Sequence, residues 1–310
     1  MLDRDALRAA VAAQGRVARV VVAAVAGSAP REVGASMLVW DGGQSGTIGG
    51  GALEWEATGR ARAMLDTGKP RIDRLPLGPA LGQCCGGAVT LLTEVWDADA
   101  AAALPGDVFA RSTDGSEMPL AVKRLLARAR GEGVMPAPAL LQGWMVESVA
   151  RATRPVWVWG AGHVGRAVVA VLAPLPGLAI TWIDVAAGRF PGIVPDGVTA
   201  LPAADPGRLV ARAPQEAEHL VLTYSHALDL DLCHRLLGHG FARLGLIGSS
   251  TKRARFAGRL RDLGHSDQSV ARIDCPVGDP SLGKHPQAIA VGVAAAMLRS
   301  EARGRARVAR

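Results

Sequence analysis

The apolar positions of this chain change period along its length, and each change marks an element. MLDRDALRAAVAAQG spaces its apolar residues along one face and predicts a helix to about residue 14. Arg16 to Ala26 is an apolar run that reads as a buried strand. A turn-rich loop, GSAPREVG (Gly27 to Gly34), leads to a second strand, Ala35 to Trp40, closed by the turn Asp41-Gly42-Gly43. After GTIGGG (Gly46 to Gly51), helix formers with helical apolar spacing run from Ala52 to Leu65. Ala88 to Trp96 is a β run. Between Asp97 and Pro138 the pattern predicts only a helix over Lys123 to Gly131, and Trp144 to Ala150 reads as a closing strand.

The second half opens with a short strand, Val156 to Trp159, then Gly160-x-Gly162-x-x-Gly165 and a helix pattern. Ala179 to Asp184 supplies another strand ending in an acid. Strand, glycine loop, helix, strand and acid, in that order, form the dinucleotide fingerprint in the context it requires. Strands follow at Glu218 to Ser225 and Ala242 to Ser249, each succeeded by a helical pattern. Parallel strands with crossover helices gather functional groups at their carboxyl ends. That places Tyr224, Ser225, His226, Asp229, Ser249, Ser250 and Lys252 together. The predicted fold class is α/β, with an N-terminal α/β domain over 1–152 and a Rossmann-like parallel-sheet domain over 153–310, which ends in a basic tail.

Composition narrows the classes. The 310 residues are 49% hydrophobic and only 4% aromatic, so the cores are built of Ala, Val and Leu. No apolar run approaches the ~20 residues of a membrane span. Four cysteines without a Cys-x-x-Cys pair do not make a disulfide scaffold. Together these make a reducing, cytoplasmic setting the expectation. The net charge of +7 is concentrated in Lys252 to Arg261 and in the tail from Arg299. Two local clusters are not a continuous basic face interleaved with aromatics, which favours a solvated helix face and a frayed tail over nucleic-acid binding.

Candidate chemistry sits in the glycine loops. Cys84 and Cys85 precede Gly86 and Gly87, where inward-turned N–H groups would stabilise a thiolate; the plain alternative is an inert turn thiol. Gly49, Gly50 and Gly51 stand directly before a helix N-terminus, a position that favours an anion. Arg31 is available for a phosphate, or pairs with Glu32 or Glu54. His163, inside the second glycine loop, faces a ligand or caps the loop. His226 with Asp229 reads as an acid/base pair, or Asp229 simply starts a helix. Lys252 after Ser249-Ser250 is a further phosphate candidate. Cys233 and Cys275 read as structural.

Taken together, GSAPREVGASMLV, GTIGGGALE, CGG before a strand carrying Glu94, VWGAGHVGRAV, SHALDLDL, LGLIGSSTKRARFAGRL and CPVGDPSLGKHPQAIAVGVAAAML are collinear over about residues 17 to 298. They resemble the xanthine dehydrogenase accessory protein family, XdhC/CoxI. The resemblance implies a cofactor chaperone rather than an enzyme. It would bind the molybdenum cofactor (molybdopterin), protect its sulfurated form and help insert it into xanthine dehydrogenase. The implied partners are the apo-xanthine dehydrogenase, a cysteine desulfurase, a cofactor-maturation nucleotidyltransferase and a second copy of the chain as a homodimer.

On the family pattern, CGG falls on Cys85, Gly86 and Gly87, with Cys85 as a soft contact to molybdenum. The Gly49-Gly50-Gly51 loop with Arg31 would hold the cofactor phosphate, and Glu54 would orient Arg31 or a pterin nitrogen. Gly160, Gly162, His163, Gly165 and Asp184 would line a nucleotide pocket. The chain departs from the family pattern in lacking Asp-Arg after Asp184, in Ala296 where glutamate is common, and in Gln287-Ala288 where acids are usual. Three other readings stand beside this one. An NAD-dependent oxidoreductase would rest on GAGHVG and Asp184, a persulfide sulfurtransferase on Cys85, and a ligand-sensing module on the Rossmann-like half.

Overall fold

The computed structural model describes residues 1–78, 86–150 and 154–308. It divides into two units, Met1–Arg151 and Ala152–Arg310.

The first unit runs β1 (Leu2–Asp3), α1 (Arg4–Gln14), β2 (Val17–Ala26), β3 (Ser36–Trp40), β4 (Gly43–Gly46), α2 (Gly51–Met64), β5 (Arg71–Pro76), β6 (Ala88–Trp96), α3 (Ala98–Ala102), β7 (Val108–Ser112), α4 (Leu120–Glu132), β8 (Ala139–Leu141) and β9 (Trp144–Ala150). Five strands form an antiparallel sheet in the order β4-β3-β2-β6-β5. A second sheet is built on β9, which pairs with β1 in parallel and with β7 and β8 antiparallel. The stretch with little sequence signal thus contains α3 and β7 besides the expected α4.

β2 is apolar throughout because both of its faces are covered. Ala18, Val20 and Val22 pack with Leu53, Ala57 and Ala61 of α2. On the opposite face, Val21 and Ala23 meet Met145 of β9. Arg19 falls on this second face by strand alternation. It is buried there and forms a two-pronged pair with Glu147 of β9, at 2.9 and 2.7 Å. Arg111 of β7 lies 2.8 Å from the same carboxylate and also binds Glu94 of β6. Burial opposes the charge on Glu147, but the two arginines overcome it and hold its pKa down at about 2.

The second unit contains β10 (Arg154–Trp159), α5 (His163–Leu172), β11 (Leu178–Asp184), β12 (Val198–Pro202), β13 (Glu218–Val221), α6 (His226–His239), β14 (Arg243–Leu246), α7 (Ser250–Asp262), α8 (Asp267–Val270), β15 (Ile273–Asp274) and α9 (Pro286–Val308). All six strands are parallel, in the order β12-β11-β10-β13-β14-β15. This is the doubly wound Rossmann order, with the reversal between β10 and β13. Val156 and Val158 of β10 pack with Ala167, Val168 and Val169 of α5 and Val293 of α9. Trp157 and Trp159 face the other way, toward Leu232 and Leu236 of α6. Among the described residues no helix is long and apolar enough to cross a membrane.

Candidate functional site

Three of the motif loops meet at one end of the five-stranded sheet. β2 ends at Ala26, which pairs with Ala88 at the start of β6. Gly46, at the end of β4, pairs with Met37 near the start of β3. The segments 27–34, 46–51 and 86–87 therefore leave the sheet on the same side. Two glycines let them touch. A Cβ on Gly87 would stand 2.2 Å from the Ser28 carbonyl oxygen, and one on Gly49 would stand 2.6 Å from the Pro30 ring. Gly49 also lies beside the Arg31 stem, 3.6 Å from its Cγ at the Cβ position. At Gly50 and Gly86, by contrast, a Cβ would meet nothing within 4 Å among the described residues. Cys84 and Cys85 fall outside the described residues.

Glu54 does not orient Arg31. It reaches back from the first turn of α2 and accepts hydrogen bonds from the Ile48 and Gly50 amides at 3.1 Å each, the Thr47 hydroxyl at 2.5 Å and the Gln44 amide at 2.9 Å. Burial opposes its charge, but these donors outweigh it and hold the carboxyl below its ordinary pKa. The Gly49 amide is taken by Thr47 Oγ1. The expected phosphate cradle is therefore changed. The Gly49 and Gly50 amides are already satisfied, and the anion at this helix start is the protein's own carboxylate. Arg31 instead pairs with the adjacent Glu32 at 3.2 Å, in an exposed setting where such a pair is weak and easily exchanged.

The second glycine loop is clamped by its own unit. Asp184 is buried, and Oδ2 accepts the Ala161 amide at 2.5 Å. Its other oxygen accepts from the Val185 amide at 2.7 Å and from Arg189 at 3.2 Å. The Trp182 indole donates to the Gly160 carbonyl, and Arg166 donates to that of Ala161. Gly165 packs against Gly160, where a Cβ would meet the carbonyl oxygen at 2.0 Å. The space at the Gly160–Asp184 crevice is about 10 Å³, far below the roughly 300 Å³ of the smallest ordinary ligand pockets. Asp184 is thus engaged by its own loop in this structure, at the position where the fingerprint expects a ribose ligand. Gly162 precedes α5, and His163 opens it with an exposed side chain.

The residues expected at the carboxyl ends of β13 and β14 do gather. Ser225 caps α6 by accepting the Leu228 amide. Asp229 is fully buried, bonded to Thr223 and, at 2.6 Å, to Lys252 Nζ. Its partner is therefore Lys252 and not His226. Cys233 and Cys275 are buried free thiols whose pKa values are raised by burial. Among the described residues no cluster of three or more His, Cys, Asp or Glu is arranged to hold a metal ion.

A two-unit α/β chain with a parallel Rossmann unit is the class these elements define. The family model of the XdhC Rossmann domain matches residues 156–297, and that of the XdhC and CoxI family matches residues 10–76. The chain belongs to the XdhC family. The uncharacterized protein YqeB of Escherichia coli (strain K12) is 26% identical over 277 residues, covering 88% of this chain and 41% of that protein. The chain thus spans well under half the length of that curated relative. The crystal structure of a xanthine dehydrogenase from Bacillus halodurans matches with a TM-score of 0.71 at 19% identity, over 96% of this chain and 95% of that one. At that identity the likeness shows the fold alone.

Proposed function

We propose that this chain is an accessory protein of xanthine dehydrogenase maturation that binds the molybdenum cofactor at the loop end of the five-stranded sheet. The observation that carries the reading is the convergence of 27–34, 46–51 and 86–87, three segments far apart in sequence, through the Gly87–Ser28 and Gly49–Pro30 approaches. Membership of the XdhC family supports the maturation role.

The residues present suit such a ligand in part. Arg31 can leave its exposed neighbour Glu32 for a phosphate, and the open faces of Gly50 and Gly86 leave room for a flat ring. The Gly49 and Gly50 amides are not available, so phosphate binding falls to Arg31. Cys85, adjacent to Gly86 in sequence, is proposed as the soft ligand. When bound, the cofactor would carry the sulfurated molybdenum centre; the chain would hold and shield it rather than turn over a substrate. Release would follow contact with the apo-dehydrogenase. A cysteine desulfurase, a nucleotidyltransferase and a second copy of the chain complete the proposed partners.

Reconstitution tests the reading. Cofactor carried by the wild-type chain should restore activity to apo-xanthine dehydrogenase, and Arg31→Ala or Cys85→Ala should transfer several-fold less. Equal restoration with and without the chain would refute the role.

A further inference from the structure

The cations of α7 divide into two sets. Lys252 binds Asp229 and, at 2.8 Å, the Ile247 carbonyl; Arg253 reaches the Cys275 carbonyl; Arg261 pairs with Asp267 at 2.6 Å. The side chains of Arg255 and Arg259 have no hydrogen-bond or ion-pair partner among the described residues. They stand one helical turn apart, where like charges repel. Both line a cavity of about 360 Å³ at the carboxyl ends of β13 and β14, a volume within the range of small-ligand pockets. Thr223, Ser249 and Lys252 line the same cavity, and so does Tyr224, an aromatic left 67% exposed. Among the described residues no carboxylate lines it, and Asp229 is paired with Lys252. A hollow with two uncompensated guanidiniums, a hydroxyl-bearing helix start and an exposed ring has the chemistry that recognises a phosphate ester joined to a heterocycle.

We propose that this cavity is a binding site for a small phosphorylated ligand, with its phosphate held by Arg255 and Arg259 and its ring against Tyr224. The site adjoins the Gly160–Asp184 crevice, with which it shares Thr223 and where only about 10 Å³ is open. It does not depend on cofactor binding by the first unit. A nucleotide and a phosphorylated pterin both present this chemistry, and the test separates them.

Calorimetric titration of the full chain with inorganic pyrophosphate, ADP and a pterin phosphate reads the site. The proposal expects at least one of the three to bind, with affinity falling tenfold or more in Arg255→Ala/Arg259→Ala and unchanged in Arg261→Ala, which removes an equal charge from a paired position on the same helix. Tighter ADP names a nucleotide as the ligand; a tighter pterin phosphate names a pterin. Absence of millimolar binding by all three, equal affinity in the double variant, or an equal loss in Arg261→Ala would overturn it.

Discussion

Gly87 passes so close to Ser28 that a Cβ would lie 2.2 Å from the Ser28 carbonyl oxygen and 2.5 Å from that of Ala26. Neither neighbour is a side chain that can swing aside. Gly87→Ala is therefore predicted to force the two loops apart, at a cost of about 1–3 kcal/mol or more. Urea unfolding measures it. Gly86→Ala, at an open position, should leave the midpoint nearly unchanged, and equal effects at both positions would contradict the packing described.

Glu54 is predicted to be a stability residue of the 46–51 loop before it is anything else. Glu54→Ala leaves the Ile48 and Gly50 amides and the Thr47 hydroxyl without their acceptor. The expected loss is about 1–3 kcal/mol, with faster amide exchange at Ile48 and Gly50. Unaltered exchange there would show that the carboxylate does not organise the loop.

Asp184→Ala separates an anchor from a ribose ligand. As an anchor of the Ala161 amide, its loss should lower stability by about 1–3 kcal/mol, read by thermal melting. A ribose ligand would give the reverse result: NAD affinity lost and melting unchanged.

Two buried groups set the acid limit. His219 accepts the Trp159 indole N–H, and burial, with a smaller contribution from His239, lowers its pKa to about 3 from the ordinary 6.5. The unfolded chain thus takes up this proton first, and stability falls as pH drops from 6.5 toward 3, with a slope of about 1.4 kcal/mol per unit for one proton. Glu147, depressed to about 2 from 4.5, adds its own loss between 4.5 and 2. His219→Gln should flatten the upper part of the profile and leave the lower part. A wild-type stability constant from pH 6.5 to 5 would contradict this.

Much of the architecture was legible locally. The run from Val17 to Ala26 and the run from Ala88 to Trp96 are apolar enough to declare themselves strands, and GAGHVG announces its strand and helix by position. β5 was not legible, because Arg71–Pro76 is an edge strand with mostly exposed side chains and no apolar stripe. The Arg19–Glu147 pair was equally hidden. Its partners are 128 residues apart, and the pairing depends on how two sheets face each other. The fingerprint correctly placed Asp184 at a strand end, but not the direction of its side chain, which fills the crevice with a hydrogen bond to Ala161. In α7 the run of cations was plain, whereas the division between Lys252 and Arg261, which bind carboxylates, and Arg255 and Arg259, which meet none among the described residues, required the fold.

Whether the chain carries the cofactor is read from the pterin content of the purified chain after incubation with molybdenum cofactor, by fluorescence of the oxidised pterin. Stoichiometric pterin is expected on the wild-type chain, with a loss of tenfold or more in Arg31→Ala and in Cys85→Ala. No pterin on the wild-type chain would contradict the proposed cofactor binding.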